Sequence, residues 1–503
     1  TTPCPIFAVQ PADSTAWTGQ RASLVSSAIG GGTITYQWFA DGQPLSDGST
    51  GSGSELTGTQ THTLVIDQVS ESDAADYHVE ATNSCGTTLS AVALVSVRIT
   101  PELPTNWTVT NLHPAWATDG SRVEGVEAGQ QVGSATKPVP LYGTTYHLDR
   151  PVVWAGSAGS AVDVTPGTSV GGAIADTNGA AQAGWWWWPY QCYVDGQWQT
   201  CYTRQAARWH GSAGSHENLQ VSGWEYSNAY AVGVDTIGGA STNDDASGNT
   251  WYHARLWPTA GSTYGQDLHP AGYRNSSISA IDGDTQYGGV VTEFPFKNQA
   301  AKWSGTASSF VNMHPAGASR SGISDAADGQ QVGFAEFGGV GKPLLWHGSP
   351  DDFVDLTPIG AVAASAVACE GGLQLGSVQF ADATHPVLWA GQPEAFVDLK
   401  PFVPEPLTTA AVTCMDIEPD GTIVVGGFGY NPNTGVYNAL LWTSMPGEPC
   451  PADFNGDGGV DTLDVLAFLN AWSAGDSTAD FNHDGAINTL DVLAFLNAWS
   501  VGC

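Results

Sequence analysis

In the stretch DFNGDGGVDTLD (453–464), oxygen-bearing side chains stand at positions 1, 3, 5, 9 and 12: Asp453, Asn455, Asp457, Asp461 and Asp464. Gly458 occupies position 6, where such a loop must turn sharply, and Gly459 at position 7 offers its carbonyl oxygen. The pattern returns in DFNHDGAINTLD (480–491), with Asp480, Asn482, Asp484, Asn488 and Asp491, Gly485 at the turn and the Ala486 carbonyl at position 7. A hard cation such as Ca2+ takes about six to eight oxygens at roughly 2.3–2.6 Å, and one short loop of this spacing supplies them. Two Ca2+ ions are the cofactors implied. The first loop carries Asp453, Asp457, Asp461 and Asp464 and the second only Asp480, Asp484 and Asp491, so the first is expected to bind more tightly.

Each loop must be held by the segment after it, and both run into the same one, TLDVLAFLNAW, whose Leu, Val and Phe recur at helical spacing. Position 12 is Asp where EF-hands carry Glu, and no helix precedes either loop. Two calcium loops each followed by one helix resemble a type I dockerin domain, over residues 450–503. The resemblance implies an adaptor that docks on a β-sandwich partner, a cohesin, through loop positions 10 and 11 and the helix face. Those positions are Thr462 and Leu463, and Thr489 and Leu490. The family usually places small hydroxylated residues at both, so Leu463 and Leu490 point to a partner other than a standard cohesin. The near-identity of the copies implies a pseudo-twofold surface on which either face docks. A domain of this size is marginal without staples, and a Cys450–Cys503 bridge together with the two ions would close it. A calcium knot with no partner is the plainer alternative.

The rest of the chain has a different character. Gly is 62 of 503 residues, Trp 20, and 13% are charged, a composition of short strands and turns. The formal charge of −35 excludes nucleic acid and anionic membranes as partners. No stretch approaches the ~20 apolar residues of a membrane span, so no membrane insertion is expected. Eight cysteines without zinc spacing read as four disulfides in an oxidising compartment. With a start at TTPCP that suggests a removed leader, this predicts a secreted or cell-surface protein.

Residues 1–100 alternate apolar and polar positions in short runs. Trp38 falls mid-strand in TITYQWFADGQPL, and Tyr77 follows Asp73 by four residues in DAADYHVEATNSCG. This resembles an immunoglobulin-like sandwich, with Trp38 as core tryptophan and Tyr77 as tyrosine corner. Val79 stands where such domains carry a bridging cysteine, and Cys85 is expected to pair with Cys4 instead.

After a proline-punctuated linker, PELPT (101–105), an internal repeat begins. RPVVWAGSAGSAVDVTP, KPLLWHGSPDDFVDLTP and HPVLWAGQPEAFVDLKP are its clearest copies. The strand tryptophans Trp154, Trp209, Trp257, Trp303, Trp346, Trp389 and Trp442 mark seven units, each read as four short strands. That spacing predicts a seven-bladed β-propeller over 106–446. The last unit lacks its fourth strand, and residues 106–114 are expected to supply it. The units are similar to bacterial extracellular propeller repeats and lack WD40 and kelch signatures. The fold class is therefore mainly β, a sandwich plus a propeller, with a small α-helical calcium-binding domain at the C-terminus.

Within the second unit, AGWWWWPYQCYVDGQWQTCYTRQ predicts a hairpin stapled by Cys192–Cys201, with a possible surface aromatic patch of Trp185, Trp186, Trp187, Trp188 and Trp198. Such a patch could pack on a neighbouring blade, fill an interface or stack on sugar rings. Cys369 and Cys414, near the inner strands of adjacent units, are expected to form the remaining bridge, although the sequence leaves pairing among the four central cysteines open. His113, His269 and His314 precede prolines in a slot that elsewhere holds Thr165, Thr357 and Lys400, which marks turn positions rather than a catalytic set. No readable nucleophile, metalloprotease or phosphate-loop motif is present. The sequence thus predicts a non-catalytic secreted protein that polymerises head-to-tail through its C-terminal plug. The alternatives are a polysaccharide-binding module or a polysaccharide-degrading enzyme carried on a scaffold.

Overall fold

The computed structural model describes residues 3–501 apart from 142–143, 168, 195–196, 245–249, 446–451, 453, 456–459, 461 and 483. The chain is mainly β and divides into two compact units. One holds residues 1–103 and 107–443, the other 104–106 and 444–503.

The first unit begins with a sandwich. One sheet runs in the order Ser14–Trp17, Ala93–Arg98, Ala75–Asn83, Thr35–Ala40 and Gln43–Pro44, the first two strands being parallel. The facing sheet holds Ala22–Val25, Thr63–Asp67, Glu55–Thr57 and Gly48–Ser49. Alternation places Trp38, Leu64, Val79 and Val95 fully inside. The Tyr77 hydroxyl donates to the Asp73 carbonyl at 2.9 Å, which makes the tyrosine corner. Val79 packs in the core in place of a bridge, while Cys4 and Cys85 are bonded.

Beyond it lie seven successive sets of strands. The fifth set is representative: Arg320–Ala327, Gln330–Phe337, Val340–Trp346 and Phe353–Asp355, antiparallel in chain order. All seven repeat tryptophans are buried, none more than 1% exposed. A second signature accompanies them. Each first strand carries a bulge, and the facing strand places a glycine beside it: Gly133, Gly184, Gly239, Gly288, Gly333, Gly376 and Gly427. A Cβ at any of them would lie 1.9–2.2 Å from a carbonyl oxygen of the bulged strand. Only glycine permits that approach.

No single sheet closes on itself. The sets instead succeed one another through their first strands, each against the next, and Gly120–Glu127 of the first set lies against Thr409–Ile417 of the last. Side chains fasten these contacts. Asp176 Oδ2 accepts the Val232 N–H at 2.7 Å, and Asp325 Oδ2 accepts the Cys369 N–H at 2.9 Å. Between last and first sets, Thr413 Oγ1 donates to the Val123 carbonyl at 2.7 Å. Trp107–Asn111 pairs with Val436–Ser444 of the last set.

The sandwich is fixed on the fifth and sixth sets. Gln20, 1% exposed, donates to the Gly372 carbonyl at 2.7 Å and accepts from Gln330 Nε2 at 2.6 Å. Ser23 Oγ donates to Asp352 Oδ2, and Arg98 pairs with Asp328. Trp17 covers Gly372, where a Cβ would come within 2.7 Å of its ring.

One expected bridge is corrected. Cys192 and Cys201 are bonded, but Cys369 and Cys414 are free thiols. In the repeat register Cys414 matches Ala368, and Cys369 matches Met415. They thus stand one position out of step, and successive strand residues face opposite sides. Cys369 turns to the preceding set among Val332 and Leu345, whereas Cys414 packs beside Val123 of the first. Cys450 and Cys503 lie outside the described residues.

Candidate metal and docking site

The second unit is built on α1 (Thr462–Ala474) and α2 (Thr489–Val501), whose sequences differ only at the last residue. Phe468 and Phe495, both fully buried, stack at 4.3 Å with planes 7° apart. Phe454 and Phe481 meet this pair edge-on from the two loops. Phe454–Phe468 measures 5.3 Å and Phe481–Phe495 5.4 Å, while the crossed pairs measure 6.0 and 6.1 Å. The equal distances define a pseudo-twofold axis through the stacked rings. The four phenyl rings form the centre of this small core, with Val465, Trp472, Ala479, Ile487, Val492 and Trp499 around them.

In the second loop every side chain at a ligand position accepts a backbone N–H of the same segment. Asp480 accepts from Asp484 and Gly485 at 3.1 and 2.9 Å, Asn482 from Asp484, and Asp484 from Ala486. Asn488 accepts the Leu490 N–H at the start of α2. Asp491, fully buried, takes Asn482 N–H on one oxygen and Asn488 N–H on the other, which ties the helix back to the loop. The N–H of Asn488 above all holds its carboxyl below the usual range, so it is ionised at neutral pH. Gly485 turns the loop at φ +84°, a conformation that favours glycine. In the first loop Asp464, equally buried, accepts the Asn455 N–H at 3.1 Å, the counterpart of the Asp491–Asn482 bond. Asp453, Asp457, Gly459 and Asp461 lie outside the described residues.

Among the described residues no three acidic side chains converge as a metal-binding group. The fit to Ca2+ therefore rests on the donor set, all hard oxygen, and on the glycine turn. In the second loop Asp480, Asn482, Asp484, the Ala486 carbonyl, Asn488 and Asp491 would hold the ion, which would neutralise the crowded carboxylates.

Thr462, Leu463, Thr489 and Leu490 occupy the exposed first turns of the helices. The exposed surface extends further than these positions. Leu463, Leu466 and Leu469 are 54%, 56% and 41% exposed, and Leu490, Leu493 and Leu496 are 56%, 57% and 40%. Spaced three apart, they form an apolar stripe on the side of each helix away from the phenylalanines. Contiguous apolar surface left exposed in this way is of the kind that marks interaction sites. Sequence reading named Leu463 and Leu490 and, by resemblance, the helix face, but did not say which further leucines stand on it.

The other candidates fall into place on the first unit. Trp185 and Trp187 share one face of the hairpin Gln182–Val194/Gln197–Trp209, and Trp186 and Trp188 the other. Trp186 is core, Trp185 is half-buried under Arg204, and Trp188 is 38% exposed. The Trp198 side chain lies outside the described residues. His113, His269 and His314 each place Nδ1 2.7–2.8 Å from a buried serine, Ser121, Ser276 or Ser321. Each serine Oγ also accepts a backbone N–H from an adjacent set, of Ala439, Ala254 or Ala300. These Ser–His pairs fasten adjacent sets, and the three serines are buried.

A cavity of about 290 Å³ at the junction of the first strands is lined by Glu124, Glu127, Asp176, Asp325 and Glu370. Among the described residues no basic side chain lines it. Burial, with mutual repulsion, pushes Glu370 up to about 9 and Glu127 and Asp176 to about 7.

Comparison with known protein families matches residues 5–97 to the immunoglobulin I-set domain and residues 451–498 to the dockerin type I domain. Residues 98–450 lie outside both matches. No curated protein matches the chain. Among solved structures, the titin M3 domain is 30% identical, covering 19% of this chain and 98% of that one, with a TM-score of 0.17. The tandem Ig repeats of Dlar are 22% identical over 19% of this chain, which spans 48% of their length, at TM-score 0.17. Drosophila OTK extracellular domains 3–5 are 23% identical over 19% of this chain and 32% of that one, also at 0.17. By the two family matches the chain carries an I-set domain over residues 5–97 and a dockerin type I domain over residues 451–498. Dockerin type I domains bind calcium and dock on cohesin partners to build protein complexes. Among the described residues no helix is long and apolar enough to cross a membrane.

Proposed function

We propose that this is a secreted, non-catalytic assembly protein whose dockerin, organised by two Ca2+ ions, joins copies head-to-tail into an extracellular filament or matrix. The observation that carries the reading is the pair of matched leucine stripes on α1 and α2, exposed surface with no use inside the domain. The I-set domain offers a counterpart: Ile6 and Ile29, paired across two strands, are 66% and 62% exposed, with Leu89, Val92 and Leu94 also open. A plug on one surface and its receptor on another make a heterologous contact, which propagates rather than closing.

The middle of the chain is read as a seven-bladed propeller acting as a rigid spacer. Seven strand sets, one buried tryptophan each, and the contact of the last set with the first support that reading. Docking on the cohesin of a separate scaffold is the second reading, and the dockerin match favours it.

Electron microscopy of the full chain in millimolar calcium, then after chelation, separates the two. Filaments that fall apart on chelation are expected. Dispersed monomers in both conditions would overturn self-assembly and leave the scaffold reading, to be tested by binding to purified cohesins.

A further inference from the structure

A cavity of about 570 Å³ opens across the third, fourth and fifth strand sets, within the ~300–1,000 Å³ range of small-molecule sites. Tyr230 and Tyr252 of the third set and Phe334 of the fifth contribute aromatic rings, and Asn275, Ser277 and Asn298 of the fourth contribute polar groups. Phe334 and Tyr252 remain 37% and 39% exposed. Among the described residues no charged side chain lines the cavity.

Its shape follows from a position that varies along the repeat. In the shared register the position of Phe334 holds Trp185 in the second set and Phe428 in the seventh, the small residues Ser134, Ala240 and Ser377 in the first, third and sixth, and Gly289 in the fourth. With no side chain at Gly289, the fourth set leaves space that an aromatic such as Phe334 or Phe428 would fill. Opposite Phe334 stands Gly322, where a Cβ would come 2.9 Å from the Phe334 ring, so a side chain there would push the ring aside. Asn275 Oδ1 accepts the Tyr252 N–H at 3.1 Å and binds the third set to the fourth. Ser277 Oγ and the Asn298 amide take part in no side-chain hydrogen bond among the described residues. The site lies near the start of Arg320–Ala327, whereas the I-set domain sits past its end, on Asp328. The groove is therefore clear of that domain.

The lining selects its ligand by exclusion. An anion would meet no cation here and a net charge of −35. A purely apolar ligand would bury the free hydroxyl and amide groups without partners, at a cost of about 1–3 kcal/mol each. A sugar ring presents C–H faces to aromatic rings and hydroxyls to amides, without charge. We propose that this groove binds a neutral oligosaccharide, stacked on Phe334 and Tyr252 and hydrogen-bonded by Asn275, Ser277 and Asn298.

The test is calorimetric titration of the full chain in calcium with cellohexaose, xylohexaose and mannohexaose. At least one is expected to bind. Phe334→Ala should weaken that binding about tenfold or more, and Gly289→Phe, a residue the register already accepts elsewhere, should abolish it by filling the cavity. Both variants should keep the wild-type thermal midpoint, and Trp188→Ala should leave binding unchanged. Absence of binding by all three sugars overturns the proposal. So does binding that survives Gly289→Phe or is lost with Trp188→Ala.

Discussion

Asp416 and Ala128 stand 288 residues apart, yet the Asp416 carboxylate accepts the Ala128 N–H at 2.9 Å. This bond fastens the last strand set to the first. Asp416 is 4% exposed, so its removal would strand a backbone donor. Asp416→Ala should cost about 1–3 kcal/mol in urea unfolding, and Asp416→Asn, which keeps an acceptor, should recover most of it.

The glycines beside the bulges yield a sharper contrast. A methyl group at Gly333 would lie 2.1 Å from the Gly322 carbonyl, whereas at Gly341 it would meet nothing within 4 Å. Gly333→Ala should lower stability by about 1–3 kcal/mol, as overpacking does, and Gly341→Ala should leave it unchanged. Thermal unfolding of the pair checks this.

Glu370 ionises near 4.5 in an ordinary setting and is pushed to about 9 by burial and by Asp416 and Glu127. Below both values it is protonated in folded and unfolded chains alike and contributes nothing. Between them the unfolded chain gains by ionising, so the folded state is progressively destabilised as pH rises, with the full penalty above 9. Glu370→Gln removes the penalty. Its thermal midpoint should match wild type near pH 4 and exceed it increasingly up to pH 9.

The matched helices predict redundancy. Leu466→Asp or Leu493→Asp alone should spare docking, because the other stripe remains, while the double variant should abolish it. Sedimentation in calcium reads out assembly directly. Chelation should speed hydrogen exchange in 462–501, since the acidic loops would lose their counter-charge.

Much of this architecture was legible because one module is written seven times. The strand tryptophans are rare enough to count, and each is buried where alternation puts it. The glycines that mark the same register escaped notice because they stand among 62. The two candidate calcium loops could be proposed from one short stretch each, because there spacing alone lines up oxygen-bearing side chains. The helix face was expected to dock by resemblance alone; that Leu466 and Leu493 stand on it could not be read, since an exposed leucine and a buried one share a helical period until the partner of each face is known. Cys369 and Cys414 failed as a pair for a related reason: proximity was judged by strand and not by side, and a shift of one residue turned the thiols apart.

The Phe468–Phe495 axis has a consequence for any joint the dockerin makes. Two interchangeable faces let a receptor accept the plug in either of two poses, half a revolution apart. Their mixture stabilises the bound state by RT ln 2, about 0.4 kcal/mol, and a receptor that arrives from either side finds a face. Each link in a chain of such joints would be an independent coin toss in rotation. The polymer would be continuous in contour and random in twist, better suited to a felted coat than to a crystalline lattice.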